Sequence, residues 1–192
     1  MNTLGASIEI GIHPAFALLI GGLFASFLRG RFASLTMVFA PVLGLWYVST
    51  LEVGSYSSMH LFGCEIMGVV VDSQAKLFGY LFHLAALVAG IYSFHLRDPW
   101  QISMALFYAA TAVGVAFAGD MLSLFLWWEG LAITSVFQIW CRRTKRAEDA
   151  GFRYLFFHVS SGLLLLAGIL IRFHEEGSVS YTHLRAHETQ RN

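Results

Sequence analysis

Six stretches of mostly apolar residues constrain this chain more than any other feature, because each comes close to the roughly twenty residues that a helix needs to cross a bilayer. They run over about 13–28, 32–48, 74–94, 102–119, 121–140 and 152–171. In hydrocarbon, backbone groups must be satisfied within the segment, so such stretches are read as helices. The expected fold class is an all-α membrane protein with about six transmembrane helices. Composition agrees: 57% of the 192 residues are hydrophobic and only 12% are charged, against about 25% charged in soluble domains. Short turns at 29–31 and 97–99 make the spans on either side of each antiparallel neighbours. The stretch 51–71 is less apolar and rich in Gly, Ser and β-forming residues, which predicts an extramembrane loop containing a hairpin.

Charge placement gives an orientation. Arg29, Arg31, Arg97, Arg142, Arg143, Lys145 and Arg146 all fall in alternate loops on one side. The opposite loops hold Glu9, Glu52, Glu65, Asp72 and Asp120 and no Lys or Arg before the sixth span. Positive loops mark the cytoplasmic side, so the N-terminus is expected outside. The net charge of zero argues against a nucleic-acid partner. Cys64 and Cys141 stand far apart in no CxxC pattern, so neither a disulfide framework nor a zinc site is expected. No basic segment precedes the first apolar run, so no cleavable signal peptide is expected. Small residues at four-residue spacing, Ala110, Gly114 and Ala118 on the fourth span and Ala86 and Gly90 on the third, predict close helix packing.

The chemistry concentrates on the fifth span, MLSLFLWWEGLAITSVFQIW, where Glu129 is ninth in the run and therefore near the bilayer midplane. An acid there costs about 2.5 to 3.5 kcal/mol by insertion scales, so it needs a reason. Taking up and releasing a proton is one; pairing with a neighbouring helix as a structural acid is the other. Spans five and six form a hairpin, with Trp140 level with Gly151. Counting back along both helices puts Glu129 level with residue 162, near Ser160 and Ser161, and puts His158 about 6 Å of helix rise away. Histidine titrates near neutral pH, so His158 is a candidate relay member, with a packing histidine as the bland reading. Arg153, at the start of span six, is read as a snorkelling anchor with an accessory role as the lesser alternative. Asp72 and Asp120 open spans three and five and suit N-caps, with proton entry as the minor reading. Lys76 is expected to snorkel or to pair with Asp72 four residues earlier, and ion passage is its lesser role.

Four pieces of the sequence carry a family resemblance: VDSQAKLFG from Val71, GDMLSLFLWWE ending at Glu129, the basic loop from Arg142 to Arg146, and GFRYL from Gly151 running into HVSSG at His158. Over about 71–171 the chain resembles the antiporter-type subunits of complex I, membrane-bound hydrogenases and the multi-subunit Mrp cation/proton antiporters, most closely the D-like members of the Mrp group. The resemblance implies part of a larger bundle of about fourteen spans with two inverted repeats. It also implies that Glu129 is the proton-handling acid, normally partnered by a Lys on a seventh helix. Expected partners are other membrane subunits of the same complex, the lipid bilayer, and protons with Na+ or K+. The resemblance leaves open a redox-driven pump component of an NADH-quinone oxidoreductase or hydrogenase.

No nucleotide loop, metal cluster or nucleophile–base pair is evident, so no cofactor and no redox catalysis are expected within this chain. The competing class is a haem b anchor, since His83 and His95 lie twelve residues apart at a spacing suited to two haems; no second span carries a matching pair. A non-catalytic scaffold would leave Glu129 without purpose. The organisation read from the sequence is two N-terminal helices (1–50), an outer loop (51–73), four helices (74–172) and a non-helical tail (173–192). From about 179 the tail, with His183 and His187, resembles a translated sequencing-adaptor stretch and is expected to carry no function, the natural protein continuing beyond it.

Overall fold

The computed structural model describes residues 12–54, 56–61 and 64–176. In chain order the elements are α1 (Phe16–Phe27), α2 (Arg31–Thr50), β1 (Tyr56–Leu61), β2 (Cys64–Val70), α3 (Ser73–Tyr92), α4 (Pro99–Phe117), α5 (Met121–Trp140) and α6 (Lys145–Glu176). Five of the helices, α2 to α6, are long and apolar enough to span a membrane, and α1 is a shorter apolar helix. All six expected spans are therefore helical, and 121–140 coincides with α5. The 51–71 loop holds the antiparallel hairpin, β1 against β2, with an irregular register between Ser57 and Ser58.

Helix starts follow from local chemistry. Asp72 accepts from Ala75 N at 2.6 Å and caps α3. Asp98 accepts from Trp100 N at 3.1 Å, and Pro99 sits at the first helical position, where its missing N–H costs nothing. Asp120 and Ser123 form a reciprocal capping box that opens α5. Both N-cap readings for Asp72 and Asp120 thus describe what these side chains do.

The bundle is built around α4, which packs on α1, α2, α3, α5 and β2. Close approach depends on glycines: a β-carbon on Gly21 would strike Ala40, one on Gly90 the Met37 carbonyl, and one on Gly114 the Trp127 ring. The second strand closes one end of the α4–α5 turn, where Met67 O accepts from Gly119 N at 3.0 Å and from the Ser123 hydroxyl at 3.3 Å. At the opposite, basic end, the Ser34 hydroxyl donates to Leu96 O at 2.7 Å, and Arg143 reaches Asp98 at 2.7 Å. α6 packs on α5 among the described helices and leaves Phe156, Phe157, Leu163, Leu164, Leu170 and Ile171 exposed.

Three expectations are corrected. α6 starts at Lys145 instead of near 152 and continues to Glu176, so 173–176 is helix and not tail. Thr144 accepts from Ala147 N, and Lys145 pairs with Glu148 and Asp149; this polar first turn is helical yet stands outside the apolar window that marks the span. Lys76 does not pair with Asp72: its ammonium donates to Leu51 O at 2.6 Å. His95 is not on the third helix, which ends at Tyr92; it sits in the following turn, against Tyr92 O. The tail from 177, with His183 and His187, lies outside the described residues.

Candidate functional site

Glu129 is held by the α5–α6 hairpin in the register that the sequence predicts. Gly151 lies beneath the Trp140 ring, and Gly162 lies beneath the Glu129 carboxylate. A β-carbon at Gly162 would overlap Oε1, so the acid occupies a notch that only glycine leaves open. Oε1 is buried and has no hydrogen-bond partner among the described residues. On the far side of α5, Gly130 faces Thr111 of α4, and Trp127 lies across Gly114. Glu129 therefore points to α6, away from the α4 interface. The hydroxyls nearest in sequence are occupied: Thr134 donates to Gly130 O at 2.9 Å and Ser135 to Leu131 O at 2.7 Å.

His158 lies one turn from Gly162 on the same face of α6, toward the basic end. Its ring is stacked between Trp128, 5.8 Å away on α5, and Tyr154, 5.6 Å away on α6, each 13° from parallel. Its Nε2 is buried and also has no partner among the described residues. Two buried, unsatisfied polar atoms on adjoining turns are unusual, since such groups normally find partners. The aromatic slot was not anticipated; the i, i+4 spacing of Tyr154 and His158 was the available signal.

The other sequence-predicted residues are not gathered here. Ser160 and Ser161 share the depth of Glu129 but are exposed, and Ser160 donates to Phe156 O at 2.8 Å. Arg153 is exposed near the basic end of α6, as an anchor would be. Asp72, Lys76 and Asp120 lie at or near the starts of α3 and α5, at the hairpin end, each with a different partner; Asp120 is 1% exposed. His83, 0% exposed, packs against Gly44 with Nδ1 2.7 Å from Gly79 O. Among the described residues, no group of three or more His, Cys, Asp or Glu could hold a metal.

Residues 118–191 match the family model described as NADH:quinone oxidoreductase/Mrp antiporter, TM, a match that takes in α5, α6 and the tail. No curated protein matches this chain. Among solved structures, it is similar to a chain of the membrane-bound sulfane sulfur reductase, an archaeal respiratory membrane complex, at TM-score 0.75 and 21% identity. That match covers 93% of this chain and 30% of the other. It is also similar to a chain of the Mrp complex from Dietzia sp. DQ12-45-1b, at TM-score 0.76 and 21% identity, covering 88% of this chain and 19% of that one. The fold is thus that of one part of larger bundles, and the chain spans less than a third of either relative's length. The family match is thus confined to residues 118–191, and this multi-pass membrane chain shares its fold with one part of each of those two larger chains.

Proposed function

We propose that this chain is the part of a multi-subunit membrane complex that carries protons through Glu129, with His158 as the adjoining relay group, in exchange for a monovalent cation such as Na+ or K+. The observation that carries the reading is the Glu129 carboxylate in the Gly162 notch, with the imidazole one turn away toward the basic end. A structural acid would be expected to end on a hydrogen-bond donor, and Oε1 has none among the described residues. A redox-driven pump would use the same acid; the two differ in what neighbouring subunits supply. Membrane subunits of the same complex are the proposed partners, since both structural relatives are chains of named complexes.

In the complete complex reconstituted in vesicles, His158→Gln is expected to slow cation-driven collapse of a pH gradient about tenfold or more, as loss of a proton-transferring side chain does. If the two groups form one relay, adding His158→Gln to Glu129→Gln costs nothing further. Independent, additive losses would remove His158 from the path.

The basic end is proposed to face the cytoplasm, with the N-terminus outside. Cys141 follows α5 at that end. Burial and the nearby Asp98 push its thiol above the usual range, while Arg143 pulls the other way. In a Cys64→Ser protein, a membrane-impermeant maleimide should label Cys141 only in inverted vesicles. Because a raised thiol value means less thiolate at neutral pH, labelling should be slow at pH 7 and accelerate as pH rises. Labelling from the outer face would reverse the orientation.

A further inference from the structure

At the basic end of the bundle, an open cleft of about 990 Å³ lies where α4 and α6 begin and α5 ends. Gln101, Gln138, Arg142, Thr144, Arg146 and Ala147 line it. The four basic residues of this loop divide into two kinds. Arg143 is taken up by Asp98 at 2.7 Å, and Lys145 by Glu148 at 3.2 Å and Asp149 at 3.4 Å. Arg142 and Arg146 line the cleft and meet no carboxylate among the described residues. Thr144 Oγ1 accepts from Ala147 N at 3.2 Å, which leaves its O–H free to donate to a ligand. The cleft thus offers two guanidinium groups, a hydroxyl and amide donors, a set that suits a phosphate.

A second cavity, of about 270 Å³, adjoins it. It runs between α3 and α4 and is walled by Phe82, Ala85, Ala89, Ala105, Ala109 and Gln138. Gln138 lines both cavities, so the polar cleft and the apolar groove meet at one side chain. Along α4 the groove continues from Ala105 to Ala112, a descent of about 10 Å toward the middle of the membrane. Alanines along both walls keep it narrow, and its lining is apolar apart from Gln138 and Tyr108. A free phosphate would satisfy the arginines and leave this groove without purpose. A lipid with a charged headgroup has both parts in this order and at this depth.

We propose that the two cavities form one binding site for an anionic phospholipid, with its phosphate on Arg142, Arg146 and Thr144 and an acyl chain in the alanine groove between α3 and α4. The site is separate from Glu129 and His158, so it stands or falls independently of the transport reading. Basic residues at a membrane surface contribute about 1 kcal/mol each toward anionic lipid, which is about fivefold in affinity.

The test follows the thermal unfolding midpoint of the chain in neutral detergent during titration with dioleoylphosphatidylglycerol, dioleoylphosphatidylcholine or inorganic phosphate. Phosphatidylglycerol should stabilise at about tenfold or more lower concentration than phosphatidylcholine. Arg142→Gln and Arg146→Gln should each weaken that effect about fivefold, and together about thirtyfold. Both side chains are exposed, so the unfolding midpoint without lipid should not move. Arg143→Gln removes the same charge outside the cleft and should leave lipid affinity unchanged. Ala109→Phe, which fills the groove, should weaken phosphatidylglycerol. Equal stabilisation by phosphatidylcholine, equal stabilisation by inorganic phosphate, or an Arg143→Gln loss as large as the other two would each overturn the site.

Discussion

Glu129→Gln in the complete complex is expected to reduce ion-coupled proton movement by about a hundredfold or more while leaving assembly unchanged. The amide has nearly the same volume, so it fits the Gly162 notch and keeps the α5–α6 contact. It cannot give up a proton, so the step that needs one stops. It is also less costly than an ionised acid within hydrocarbon, so stability should hold or rise. Glu129→Asp keeps the acid but withdraws it by one methylene from Gly162, and an intermediate rate is expected. The measurement is decay of an imposed pH gradient on addition of Na+ or K+ to vesicles, with recovery of the assembled complex followed in parallel. Undiminished exchange in the amide variant would sink the proposed function.

The largest stability effect is expected at Gly90. A β-carbon there would overlap the Met37 carbonyl, a backbone atom that moves only if α2 and α3 part. Overpacking of this kind costs up to about 3 kcal/mol. Replacing glycine by alanine in a helix returns about 1 kcal/mol, so Gly90→Ala should lose about 2 kcal/mol net. Gly168, in α6, has nothing within 4 Å of its β-position, so Gly168→Ala should be neutral or slightly stabilising. Gly162→Ala falls between them, because the atom it meets is the mobile end of Glu129. Thermal unfolding midpoints of the three variants give the order directly. A Gly90→Ala protein as stable as Gly168→Ala would mean that α2 and α3 are not packed as described.

What could be read in advance was whatever depends on neighbours along the chain. α5 was legible to the residue, because Asp120 caps its start and a basic loop follows its end. The pairing of Glu129 with position 162 follows from one turn length and the helix rise. Ser160 and Ser161 failed because depth along an axis does not fix rotation about it: Gly162 faces α5, and the serines next to it are exposed. The pairing of Lys76 with Asp72 failed for a non-local reason. The Asp72 carboxylate was already engaged by Ala75 N, and a carbonyl twenty-five residues earlier was in reach. His95 failed because the helix stops at Tyr92, before the apolar signal does.

The strand whose Met67 O accepts from both Gly119 and Ser123 makes the two ends of the α4–α5 pair unequal. One mouth is stoppered by main chain, and the other opens onto a wide polar cleft. Prising the stopper away breaks two hydrogen bonds, each worth about 1 kcal/mol, so it would lift only briefly. Water would then reach the ends of this helix pair more readily from the arginine side than from the side that the strand covers.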